Sequence, residues 1–110
     1  MPVGPTEQDI AIARMIVDEY AVERPIAFPE LLESLSRRVF PLSRDTDLEL
    51  ARRVLREYLG QGRITIHMGR ALDDDLPPVD GKTAASLVED LARYEYGDGD
   101  EIRSWLSLEP

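Results

Sequence analysis

Between Leu48 and Met68 the spacing of apolar residues changes once, and the change falls on three residues. Leu48, Ala51, Val54, Leu55, Tyr58 and Leu59 recur at the three-to-four-residue spacing of one helix face. After Gly60-Gln61-Gly62, the residues Ile64, Ile66 and Met68 alternate with Arg63, Thr65 and His67, the period of a strand with one buried face. A glycine turn this short folds the strand straight back onto the helix. The expectation is a helical layer against a small sheet, with Ile64, Ile66 and Met68 packed on Leu55 and Tyr58. Ser43 or Asp45 is placed to cap the helix and Gly60 to terminate it.

Prolines and caps divide the rest. Thr6 with Asp9 three residues on resembles a capping box, and Ile10, Ala13, Ile16, Val17, Tyr20 and Ala21 follow at helical spacing, so a first helix is expected over about 7–22. Pro25 stops it, and Ile26-Ala27-Phe28 reads as extended before Pro29, which suits a helix start. Leu31, Leu32, Leu35 and Val39 then form a stripe to Pro41, predicting a second helix over about 29–40. Residues 69–81, with Asp73-Asp74-Asp75 and Pro77-Pro78, read as loop, in which Arg70-Ala71-Leu72 would make a short return strand. Another helix is expected from Gly81 or Thr83 to Gly97, burying Leu87, Val88, Leu91 and Tyr94. Asp98-Gly99-Asp100 is a turn, and Asp100 would cap a last short helix with Ile102, Trp105 and Leu106 on one face.

The fold class is therefore mainly α with a small β-sheet (α+β), in a single domain of 110 residues. The order helix, short extended piece, helix, helix, glycine turn, strand over residues 7–72 resembles the winged helix-turn-helix superfamily. Ile26-Ala27-Phe28 stands as the first small strand, and Leu59-Gly60-Gln61-Gly62-Arg63-Ile64 as the turn into the wing. The resemblance implies a winged-helix-like tri-helical core followed by C-terminal helices in 81–107. It implies also that the third helix would enter a DNA major groove. Arg44, Arg52, Arg53, Arg56, Arg63 and Arg70 would then be the DNA-binding residues of a transcriptional regulator. The helix opens, however, on Asp45, Thr46, Asp47 and Glu49. Carboxylates there oppose phosphate neutralisation but complement the positive end of the helix dipole.

Charge favours a different partner. The chain carries 22 acidic and 13 basic residues, a formal charge of −9, which argues against nucleic acid and anionic lipid. The distribution is uneven: residues 24–70 hold nine arginines against six carboxylates, a balance of +3, whereas 71–110 hold three basic against eleven acidic, −8. On the third helix Glu49 with Arg53 and Arg53 with Glu57 are ordinary four-residue pairs. The acidic half would steer a protein with a basic surface, through Asp73, Asp74, Asp75, Asp98, Asp100 and Glu101 in loops, with Tyr96 as an exposed aromatic beside them.

No enzymatic chemistry is supported. There is no cysteine, so no disulfide, thiol nucleophile or thiolate metal site. His67, the single histidine, is on the outward face of the predicted strand with no Ser/Asp partner at a telling spacing. Gly60-Gln61-Gly62 lacks the third glycine of a dinucleotide loop and follows a helix instead of a strand. Asp98, Asp100 and Glu109 match calcium-loop positions, but Arg103 stands where that loop needs glycine. No cofactor is expected. Neither a basic, apolar leader nor an apolar run of membrane-spanning length is present, and the expected location is the cytoplasm.

Overall fold

A computed structural model describes residues 6–22, 24–37, 43–69, 77–95 and 103–108. Helix α1 (Glu7–Tyr20) opens on the expected capping box. The Thr6 hydroxyl accepts from the Asp9 N–H at 3.1 Å, and the Thr6 N–H donates to the Asp9 carboxylate at 2.9 Å. Strand β1 (Ile26–Ala27) leads directly into α2 (Phe28–Ser36). Pro29 lies in the first turn of α2, where a missing amide costs nothing, and Glu30 takes the Ala27 N–H at 3.2 Å. The helix ends at Ser36 with Arg37 as its cap, short of the expected residue 40; residues 38–42, Val39 among them, lie outside the described residues.

Helix α3 (Arg44–Gly60) starts on Ser43, whose hydroxyl accepts from the Thr46 N–H at 3.2 Å. The helix ends at Gly60, as expected, and the left-handed turn that closes it falls two residues on, at Gly62. Gly62 holds the left-handed backbone, φ 70°, that glycine alone adopts without strain. Its N–H donates to the Leu59 carbonyl at 3.1 Å and that of Arg63 to the Tyr58 carbonyl at 2.9 Å, the paired bonds of a Schellman cap. The contact that usually closes this motif is apolar; here the Arg63 guanidinium lies 4.1 Å from the centre of the Tyr58 ring. The cap delivers β2 (Ile64–Gly69) onto α3, with Ile64 and Ile66 buried, Met68 half-buried against the core, and Leu55 and Tyr58 buried beneath.

Among the described residues β2 pairs along one edge with a strand from far along the chain, while on its other edge the returning chain makes an isolated antiparallel bridge, His67 opposite Pro78, with the Val79 N–H donating to the Ile66 carbonyl at 2.8 Å. Residues 103–108, expected as helix, form β3 (Arg103–Leu108) at the centre of a three-stranded antiparallel sheet of order β1-β3-β2. The register sets Ile64 opposite Leu108, Ile66 opposite Leu106 and Met68 opposite Ser104, while Ile26 faces Leu106 from the other side. Ile102, Trp105 and Leu106 fit helical spacing, yet Ser104, Leu106 and Leu108 also alternate, and pairing along both edges of β3 decides for the strand. Arg70, Ala71 and Leu72, the expected return strand, lie outside the described residues.

The predicted helix from residue 81 to Gly97 is shorter and broken. Helix α4 (Gly81–Glu89) starts on Asp80, whose carboxylate accepts from the Thr83 N–H at 2.7 Å. Asp90 then leaves the helical conformation and accepts from the Ala92 N–H at 3.1 Å, starting a 3₁₀ turn (Leu91–Tyr94). A short acidic side chain that can bond its own neighbouring backbone competes with helix continuation. The break turns Leu91 out to solvent, against expectation, and Tyr94 inward. The Tyr94 ring packs 5.1 Å from that of Phe28 and its hydroxyl donates to the Val88 carbonyl at 2.7 Å. One apolar cluster takes side chains from α1 through β3, including Ala84, Leu87, Val88 and Tyr94. The molecule is mainly helical with one small antiparallel sheet. Among the described residues no helix is long and apolar enough to cross a membrane.

Candidate functional site

Arg44, Arg52 and Arg56 are spaced by eight and four residues, which sets them along one side of α3. That side faces α4. Glu89, the last residue of α4, accepts from the Arg56 Nε at 2.7 Å, and its other oxygen is 3.8 Å from an Arg52 nitrogen. Arg52 also donates to Glu49 at 2.7 Å, and Arg44 lies 3.6 Å from Glu95 just past the 3₁₀ turn. The hydrogen bond from Arg56 holds the Glu89 carboxyl below the usual carboxylate range, and the same bond raises the Arg56 guanidinium. Arg56 and Glu89 are largely solvated, so their pairing is worth only about 0.2–1 kcal/mol. Its consequence is for the surface field: the three arginines face carboxylates of their own chain.

The remaining arginines are dispersed. Arg63 is held by the Tyr58 ring and by Asp18 at 3.1 Å. Burial first, and then the hydrogen bond donated to Asp18 at 2.9 Å, push the Tyr58 hydroxyl up to about 12. The expected pairs of Arg53 with Glu49 and Glu57 do not form. Glu49 turns to Arg52, three residues away, and Glu57 accepts both Nε and Nη2 of Arg14 at 2.8 and 2.7 Å, a two-bonded link from α1 to α3. The Arg14 bonds hold Glu57 below its ordinary range. Arg53 stays exposed and makes no ion pair among the described residues. It borders a cleft of about 190 Å³ between α1 and α3 that Arg14, Glu7 and Glu57 also line, a balanced set of charges that selects for neither sign of ligand. Arg70 lies outside the described residues.

The acidic surface proposed from sequence, Asp73, Asp74, Asp75, Asp98, Asp100 and Glu101 together with Tyr96, lies outside the described residues. His67 is half-buried on the sheet face away from the core, its Nε2 2.8 Å from the Thr65 hydroxyl and its backbone opposite Trp105. Among the described residues no three His, Asp or Glu side chains come together in a way that could hold a metal ion.

One polar residue escaped the sequence reading. Asp47, counted above among the carboxylates leading α3, is 1% exposed and accepts from the Ser36 hydroxyl at 3.3 Å. It ties the start of α3 to the end of α2. Its signal was present in the spacing, since Asp47 precedes Ala51 by four residues and Val54 by seven and so belongs to the buried stripe. No protein-family model, no curated protein and no solved structure matches this chain.

Proposed function

We propose that this chain is a non-enzymatic, acidic protein–protein interaction module whose partner presents a basic surface. The observation that carries this reading is the pairing of Arg44, Arg52 and Arg56 with Glu95 and Glu89. A phosphate backbone draws most of its affinity from free arginines and lysines, and these three must first give up carboxylates of their own chain. Each of these exposed pairs costs only about 0.2–1 kcal/mol to open, but the backbone beneath the carboxylates is fixed, so their charges stay beside the arginines and keep neutralising the field there. Glu89 ends a helix whose Ala84, Leu87 and Val88 are core residues, and Glu95 follows the buried Tyr94. With the basic face occupied, a chain of −9 repels polyanions and attracts cationic protein surfaces from a distance.

A second reading, a winged-helix DNA-binding regulator, is supported by the element order α1-β1-α2-α3-β2 and by the exposed Arg53 on α3. Titration of labelled mixed-sequence and palindromic duplexes, followed by anisotropy, separates the two. The interaction-module reading expects no submicromolar binding near physiological salt. Submicromolar binding abolished by Arg52→Ala with Arg56→Ala would transfer the function to the regulator. For a purified protein partner, replacing Asp73, Asp74 and Asp75 by Asn should slow association several-fold at low salt and leave it unchanged at about 1 M, where the screening length is near 3 Å.

A further inference from the structure

Four large apolar side chains stand exposed among the described residues, and three of them lie within one eight-residue stretch: Met15 at 49%, Tyr20 at 52% and Val22 at 68%. The core takes Ile10, Ala13, Ile16 and Val17 from the opposite side of α1. Along the outer side run Ala11, Met15 and Glu19, each one turn from the next, and Val22 follows just past the Ala21 cap. All four are exposed. The line is therefore apolar, apolar, acidic, apolar; Tyr20, four residues after Ile16, belongs to the core-side stripe as expected from sequence but stands half exposed at the helix end.

The carboxylate in that line is in an unfavourable place. The C-terminal turn of a helix is its negative end, where cations are stabilising and anions are not. The last turn of α1 holds Asp18 and Glu19 and no basic residue. Asp18 is answered by Arg63 and by the Tyr58 hydroxyl. Glu19 makes no ion pair among the described residues. A negative charge at the negative end of a helix, bordered by exposed apolar side chains, is complemented by a cation carried between apolar groups.

We infer that the outer face of α1 from Ala11 to Val22 docks a segment of a partner protein that presents an arginine or lysine flanked by aliphatic side chains, as an amphipathic helix does. The inference rests on the proposed function and moves its contact site from the acidic loops to α1. A second copy of the chain does not fit the face. Helix α1 carries Glu7, Asp9, Asp18 and Glu19 against Arg14, and Arg14 is committed to Glu57, so two such faces would repel.

The test uses the full chain, ¹⁵N-labelled, titrated with a synthetic helical peptide that bears leucine and arginine on one face and alanine and glutamine elsewhere. Saturable shifts centred on Ala11, Met15, Glu19 and Val22 are expected. Glu19→Lys should weaken binding about tenfold while leaving melting unchanged or slightly raised, since a cation replaces an anion at the negative end of the helix, and Val22→Asp should weaken binding by a similar factor with the fold retained, because both side chains are exposed. Shifts confined to Asp73–Asp75 or to Asp98–Glu101 would overturn the α1 face and leave the basic-partner reading standing. No saturable binding at low salt would overturn both. A change in oligomeric state on Val22→Asp, seen by sedimentation, would reassign the face to contact between copies and overturn the inference.

Discussion

Leu106→Ala probes the element that local sequence misassigns. Leu106 is fully buried in the central strand, between Ile66 on one side and Ile26 on the other. Truncation removes three carbons, about 2.4 kcal/mol of transfer free energy at ~0.8 kcal/mol per methylene. Strand neighbours on both sides limit how far the site can collapse, so a cavity contribution adds to this and brings the expected loss to about 3–5 kcal/mol. Against a total stability of about 5–15 kcal/mol, that removes a large fraction of the fold's margin. Urea denaturation followed by circular dichroism measures it, and the melting temperature should fall by roughly 4–6 °C per kcal/mol. Leu108→Ala is the internal comparison: Leu108 is half-buried at the strand end opposite Ile64, and its loss should be less than half as large. A Leu106→Ala loss below about 1 kcal/mol, or one equal to that of Leu108→Ala, would refute the central placement of β3.

Gly62→Ala should cost about 1–2 kcal/mol from backbone conformation alone, since φ is 70° and nothing lies within 4 Å of the added methyl. Gly60→Ala, helical and equally open, should instead be neutral or stabilising, and equal effects at the two sites in a denaturant titration would sink the Schellman assignment. Tyr58 bears on alkaline stability. Its hydroxyl titrates near 10 when unfolded and about 12 when folded, so stability present below pH ~10 is lost as pH rises toward 12, at about 1.4 kcal/mol per pH unit. Tyr58→Phe should lower stability at neutral pH by about 1 kcal/mol, through loss of the bond to Asp18, and flatten this alkaline slope. The slope should not vanish, because burial raises Tyr94 as well; an unchanged slope in Tyr58→Phe would show that Tyr58 ionises freely in the folded protein.

The two interaction readings differ in what each asks of the arginines on α3. Nine arginines in 24–70 look like a basic face when counted along the chain. In space, Arg44, Arg52 and Arg56 meet Glu95 and Glu89 from residues 81–95, and Arg63 meets Asp18 from α1. A count of charges along the chain does not register this neutralisation, because an ion pair depends on distance in the folded state. On α1, by contrast, periodicity already separates Ile16 on the buried stripe from Met15 off it, and what it does not register is that Tyr20, on the same stripe, is left half exposed at the helix end.

What the sequence by itself determined is what short-range physics controls. Thr6 and Asp9 start α1, a cap at Ser43 or Asp45 starts α3, the structure choosing Ser43, and the change of period across Gly60-Gln61-Gly62 sends β2 back over Leu55 and Tyr58. In each case the competing conformations differ by bonds and side-chain contacts within a few residues, so the local pattern carries the answer. The break at Asp90 was equally local, an acidic side chain able to bond the backbone two residues on, and it passed unread within a helical stripe. For residues 103–108 the segment itself is undecided between helix and strand. Its hydrogen bonds go to Ile26–Ala27 and Ile64–Gly69, far away in the chain, and only the assembled sheet offers both edges at once. The fate of the α3 arginines was decided the same way, by carboxylates that the tertiary structure brings to them, because Coulomb attraction follows separation in space and is indifferent to order along the chain.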